Sequence, residues 1–282
     1  MSSSKFEEVI NKIINDSPPG ELREVYDDLI KITSENSKNT ILDAIENYNV
    51  QNCIPIEVNG NSVIISKYNK EGAKFFDPVN SVIFSVNHLE RKGLDIEPYE
   101  FTHAKIEKGQ LKELHDKLHE YLLQSFPGDV SFAVYPVPEE ISKISIIIVS
   151  TKYNPNNFWN GHWRSSYIYD LETRELSGQI STQVHYYEDG NVSFQSGKDI
   201  NQSNVDDVVC TIRDIETNFE NDLDLSFFDL NEKQFKALRR RLPVTRSKIN
   251  WGSAIGSYRL GKNAAEGKWN FMPALFHSLP IS

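Results

Sequence analysis

Two histidines one helical turn apart, His115 and His119 in the string HDKLH, have the spacing of a zinc-binding pair on one helix face. The zinc-protease pattern also needs a glutamate beside the first histidine, and Asp116 stands there on a shorter side chain. No third ligand is close in sequence, so the pair reads as boundary residues flanking an apolar stripe. Gly256 to Asn263 (GSYRLGKN) nearly fits a phosphate-binding loop, but Asn263 occupies the place of the hydroxyl that would hold magnesium. Neither a buried strand before it nor a substantial helix after it is expected. Gly252-Ser253-Ala254-Ile255-Gly256 sets its serine one position too early for a nucleophile elbow. Glu188 and Asp189 are adjacent carboxylates at an expected hairpin tip. None of these sets assembles an acid, a base and a nucleophile, so an enzyme is not expected, nor is a cofactor or a metal.

Binding chemistry is better represented. Lys233 to Lys268 holds ten Lys and Arg against one acid, Glu266, whereas the rest of the chain holds 20 basic against 39 acidic residues. A net of +9 is thus set against −19, which an evenly solvated surface does not require. The run Lys236-Ala237-Leu238-Arg239-Arg240-Arg241 continues to Arg246 and Lys248. Beyond Pro243, Trp251, Ile255 and Tyr258 recur at i, i+4 and i+7, with Arg259 and Lys262 off that stripe. A basic segment with an apolar stripe suits a helix that docks in an acidic groove. Gly252, Gly256 and Gly261 each cost about 1 kcal/mol relative to Ala, so such a helix should order on its partner. Nucleic acid fits poorly, because −19 elsewhere repels a polyanion from most directions. An anionic lipid surface would accept the same basic segment.

The elements that must hold this segment are legible in the periodicity. Ser4 and Glu7 form a capping box ahead of Phe6, Val9, Ile10, Ile13 and Ile14, which share one helical face. Two further amphipathic helices follow, through Leu22–Ile30 and Ile41–Tyr48, and short polar linkers make the three an antiparallel bundle. From Cys53 the period becomes two. Asn59-Gly60 supplies a tight hairpin between Ile54–Val58 and Val63–Tyr68, and Asp77-Pro78 and Glu97-Pro98 bracket a short strand at Val82–Val86. Lys108 to Phe126 returns to helix, with Leu111, Leu114, Leu118 and Leu122 in line.

Residues 130–197 read as an antiparallel sheet, with strands Ile144–Tyr153, Phe158–Asp170, Glu175–Glu188 and Asn191–Gln195. Trp159, Gly161 and Trp163 alternate onto one face, where core packing against a helix is expected. That helix is expected from about Asn204 to Leu223, followed by a shorter one from Asn231 to Leu242. Cys53 and Cys210 read as small buried apolar residues in a reducing compartment. The acidic, amphipathic start of the chain is unlike a signal or transit peptide, and the longest apolar stretch, Ile144–Val149, is far too short to span a bilayer. A soluble, intracellular protein is therefore expected. The sequons at Asn191 and Asn201 are then chance matches.

Four strings decide a resemblance: Lys236 to Trp251 (KALRRRLPVTRSKINW), FWNGHWRSSY (158–167), VHYYEDGNV (184–192) and FFDPVN (75–80). In this order they resemble the alpha subunit of the heterodimeric F-actin capping protein, of fungal type, over roughly residues 5–268. The resemblance implies an α+β fold with N-terminal antiparallel helices, a central antiparallel β-sheet covered by a long helix, and a C-terminal basic amphipathic segment. The implied division is a helical stalk at 1–50, short hairpins and a connecting helix at 51–127, and the sheet at 128–200. The long helix and the basic helix then occupy 201–250 and a mobile tentacle 251–268, while the apolar tail 269–282 has no counterpart in the family. The implied partners are a capping protein beta subunit in an obligate heterodimer, the barbed end of F-actin, and acidic phosphoinositides as antagonists. Lys236, Arg240 and Arg246 are implied as the basic contacts to actin, and Trp251, Ile255, Tyr258, Arg259 and Lys262 lie in the tentacle.

Overall fold

A computed structural model describes residues 3–229, apart from 19, 34–36, 103–105, 127–129, 155, 157 and 188–191. Three helices come first: α1 (Ser3–Asn15), α2 (Leu22–Ile32) and α3 (Lys38–Gln51). Ile10, Ile14, Leu22, Leu29, Ile41, Ala44, Ile45 and Tyr48 point inward and share one core. Since α1 begins at Ser3, Ser4 already belongs to the helix and is not the residue before it, as the capping box required.

Those helices cover a six-stranded sheet of β1 (Pro55–Val58), β2 (Asn61–Ile64), β3 (Lys70–Glu71), β4 (Lys74–Asp77), β5 (Val82–Asn87) and β6 (Lys92–Pro98), in the order β2-β1-β6-β5-β4-β3. Asn59 and Gly60 both take positive φ, as a two-residue hairpin turn requires, and pair Val58 with Asn61. The expected short strands are present, and β6, which the sequence reading did not identify, joins them into one sheet. It pairs antiparallel with β5 and meets β1 in parallel at Glu57 and Lys92. Pro98 closes β6 beyond the reach of β1, so its missing N–H interrupts no ladder.

α4 (Lys108–Ser125) opens on a capping box that the sequence reading passed over: the Glu107 side chain accepts from the N3 backbone while Gln110 reaches back. The second sheet runs β11-β10-β9-β8-β7, every pair antiparallel: β7 (Val130–Pro136), β8 (Lys143–Asn154), β9 (Trp159–Asp170), β10 (Glu175–Tyr186) and β11 (Val192–Gln202). β11 continues past the expected Gln195 because Ser196–Gln202 stay in register with Leu176–Thr182. α5 (Val208–Asp229) starts four residues later than expected and runs on past Leu223. Its start is set by Asp207, whose carboxylate accepts from the Cys210 amide at 3.0 Å as an N-cap. Cys53 is buried, and burial pushes its thiol up to about 11; Cys210 is half-buried, not buried as expected.

The two sheets meet through a small apolar cluster of Cys53, Ile64, Ala133, Tyr135, Ile147 and Val149. Tyr135 donates its hydroxyl to the Ile64 carbonyl at 2.6 Å, and the Ser62 and Ser131 hydroxyls bond at 2.8 Å. No helix among the described residues is long and apolar enough to cross a membrane.

Candidate functional site

All eight residues singled out from the sequence, Lys236, Arg240, Arg246, Trp251, Ile255, Tyr258, Arg259 and Lys262, lie outside the described residues. So do the loop Gly256–Asn263, the helix expected at Asn231–Leu242 and the Glu188-Asp189 tip. What the structure describes is the platform from which that segment departs, which is α5 on the second sheet.

α5 is fastened at its start to the β9–β10 turn. The Val205 amide donates to the Arg174 carbonyl at 2.9 Å, the Tyr169 hydroxyl to the Val205 carbonyl at 3.0 Å, and Arg174 pairs with Asp206 at 2.6 Å. Eleven residues into the helix, Phe219 lies edge-on to Trp163 with centroids 5.4 Å apart, and Phe126 also meets that indole edge-on at 6.2 Å. The expectation that the aromatic run of β9 packs under a helix therefore holds for Trp163, which is buried, whereas Trp159 is half-buried. Lys198 of β11 pairs with Asp222 at 3.0 Å. The helix thus crosses from the β9–β10 turn toward the opposite end of the sheet, and the basic segment begins in sequence just beyond its last residue, Asp229. Ile212, Phe219 and Leu223 are buried, each contributing about 1.5–3 kcal/mol.

One residue of this seat escaped the sequence reading. Glu216 stands in the apolar stripe between Ile212 and Phe219 and is buried in the core. Its carboxylate accepts the Tyr121 hydroxyl of α4 at 2.6 Å and the Tyr167 hydroxyl of β9 at 3.1 Å, and Ser165 also bonds it. Burial raises its pKa, and these three hydrogen bonds oppose the rise. Burial and the neighbouring carboxylate push both tyrosine hydroxyls upward. An acid at a core position of the stripe was the available signal.

The other face of the sheet carries a polar junction with the N-terminal helices. Arg164 donates to the Gln51 carbonyl at 2.8 Å and to Asn52 Oδ1 at 3.0 Å, where a cation meets the negative end of α3. Glu21, just before α2, accepts from Asn160 at 3.3 Å and bonds His185 Nδ1 at 3.0 Å. His115 and His119 lie against the Phe132 ring, at 4.5 and 5.8 Å, and burial lowers the pKa of His115, in keeping with the boundary role expected of them. No group of three potential metal ligands occurs among the described residues.

The edges of the second sheet differ. β7 lies next to β2 of the first sheet through Ser62 and Ser131. β11 is the outer strand on the other side, with Ser193, Gln195, Gly197, Lys198 and Asp199 exposed, and no described strand pairs with its free edge.

The family model for the F-actin capping protein alpha subunit matches residues 10–263. The chain belongs to that family. It is 60% identical over 266 residues to the F-actin-capping protein subunit alpha of Candida glabrata, covering 94% of this chain and all of that protein. The corresponding protein of Eremothecium gossypii is 46% identical over 265 residues, with 94% and 100% covered. Among solved structures, the homodimeric actin capping protein alpha subunit from Plasmodium berghei superposes with a TM-score of 0.71 at 26% identity, covering 86% of this chain and 99% of that one. The F-actin capping family is one of actin-binding, cytoskeletal proteins, and its matched span runs through the basic segment as far as Asn263.

Proposed function

We propose that this chain is the alpha subunit of a heterodimer that caps the barbed end of actin filaments, blocking subunit addition and loss without nucleotide hydrolysis or severing. The observation that carries the reading is the reversal of charge within the family match, where residues 233–263 hold nine basic residues and no acid beyond a platform that is acidic overall. Lys236, Arg240 and Arg246 steer the encounter with an acidic filament end, and Arg259 and Lys262 add to that field. Trp251, Ile255 and Tyr258 then enter an apolar cleft between terminal actin subunits and slow release. The free edge of β11 takes a strand of the beta subunit, which removes an aggregation hazard from the lone chain. Expressed alone, the chain aggregates, and co-expression with the beta subunit returns a soluble one-to-one complex. The complex works in the cytoplasm at cortical actin structures, and acidic phosphoinositides compete for the basic segment. Lipid or nucleic-acid binding as the primary role is not favoured, because neither needs the actin-capping family match.

The test is elongation of pyrene-labelled actin from two kinds of seed, one with free barbed ends and one with only pointed ends free. The complex stops the first and leaves the second unchanged. Equal inhibition of both, or of neither, refutes capping at the barbed end.

A further inference from the structure

The Val205 and Asp206 contacts anchor the residues that lead into α5, and the exposed Lys198–Asp222 pair touches it further on, but along the buried face apolar packing by itself does not fix where along its axis the helix sits. Ile212, Ile215, Phe219 and Leu223 line one stripe, and a slide of one turn, about 5.4 Å, replaces one apolar side chain by another. Glu216 is the exception in that stripe. Its carboxylate is met by donors from α4 and from β9, so it ties together three elements that have no covalent reason to keep step. After a one-turn slide the carboxylate would face hydrocarbon, and the Tyr121 and Tyr167 hydroxyls would lose their acceptor. Buried polar groups of this kind often cost stability while selecting one register.

We propose that Glu216 is a positioning residue for capping: it fixes the axial register of α5 and thereby the point from which the basic C-terminal segment departs. This rests on the reading of that segment as the actin-contacting one. Lys236 follows Glu216 by twenty residues. A slide of about 5.4 Å at the helix displaces the origin of the segment by far more than a charge-assisted hydrogen bond tolerates.

The experiment compares the co-purified alpha–beta complex carrying Glu216→Leu, Glu216→Gln or wild-type alpha subunit. Leu fills a similar volume and needs no hydrogen bonds, whereas Gln keeps an acceptor for the tyrosines. Three quantities are read: the melting temperature, amide hydrogen exchange in 208–229, and the dissociation rate from single filament ends. The Leu complex melts at or above the wild-type temperature, yet its α5 amides exchange at least tenfold faster and it leaves filament ends at least fivefold faster. The Gln complex restores both rates to within twofold of wild type. A residue that only stabilised the core would instead lower the melting temperature in step with exchange. Wild-type exchange or wild-type dissociation in the Leu complex overturns the proposal. If the Leu complex does not fold, the Tyr121→Phe, Tyr167→Phe double variant, which removes two donors and keeps the rings, takes its place: faster exchange and release support the pin, and unchanged values overturn it. Should wild-type complex fail to cap at all, capping as the function falls, while the exchange comparison still decides whether Glu216 fixes the register.

Discussion

Acid should weaken this fold through one identifiable imidazole. His162 lies on β9 between Trp163 and Gly161, and its Nε2 is shut off from solvent with no hydrogen-bond partner among the described residues. Burial, together with the positive charges of Arg164 and Arg91, lowers its pKa from 6.5 to about 4. The sign follows from which state binds the proton. Below pH 6.5 the unfolded chain takes up a proton that the folded chain refuses, so stability falls as pH falls, until the folded state also titrates near pH 4. At about 1.4 kcal/mol per pH unit, the span from 6.5 to about 4 limits the loss to roughly 3–4 kcal/mol. His162→Gln removes the titration while keeping a polar side chain of similar length. Urea unfolding midpoints of the co-purified complex, measured from pH 7 to pH 4 for wild type and variant, isolate the contribution, because His88 and His115, which burial also lowers, are common to both. The stability advantage of wild type over the variant should shrink steadily as pH falls through this window and level off below about pH 4. A constant difference from pH 7 to pH 4 would refute the assignment of a neutral, water-excluded imidazole to this position.

Gly178 is fixed by close approach of two strands: a Cβ there would overlap the Ser166 carbonyl oxygen and stand 2.8 Å from Tyr167 Cα. Because backbone cannot give way as a side chain can, Gly178→Ala should cost about 1–3 kcal/mol and lower the melting temperature of the complex, whereas Ala at Gly60, which has open space but a positive φ of 79°, should be limited to backbone strain. Replacing Lys236, Arg240 and Arg246 together by Ala should leave the melting temperature nearly unchanged, yet weaken barbed-end binding by several kcal/mol, at roughly 1–3 kcal/mol for each charge-assisted contact. The loss should appear in the association rate and diminish as salt rises; unaltered capping at low salt would exclude these residues. Cutting the chain after Trp251 removes Ile255 and Tyr258, so association should persist while release from the filament quickens; release at the full-length rate would make that stretch a passive tail.

Much of the scaffold was legible because it obeys local rules. The stripe Leu111, Leu114, Leu118 and Leu122 has helical spacing, and Asn59-Gly60 can hardly be anything but a tight turn. The strands of the second sheet are long, alternate cleanly, and follow one another through short connections, so their antiparallel order needed no long-range information. The first sheet was less legible, since its strands are two to seven residues long and one of its pairings joins β1 to β6 in parallel across more than thirty residues. The start of α5 was misplaced because Val205 fits the apolar stripe, although its amide is committed to Arg174 and the helix waits for Asp207. Glu216 was invisible as a tie because Tyr121 and Tyr167, which give its burial a purpose, lie 95 and 49 residues away. The basic segment and its apolar stripe were read from charge and spacing, and the choice of Lys236, Arg240 and Arg246 within it from the family resemblance, features of sequence that do not depend on how the segment folds.

Barbed-end dwell on single filaments tests the account most directly, comparing the full-length complex with one whose alpha subunit ends at Asp229. The shortened chain keeps every described strand and helix but loses the basic segment and the apolar stripe that follows it. Growth at barbed ends should stop for long intervals with the full-length complex and continue almost uninterrupted with the shortened one, at equal melting temperatures. Equal pauses for both complexes would place capping elsewhere in the heterodimer and contradict the role assigned to residues 233–268.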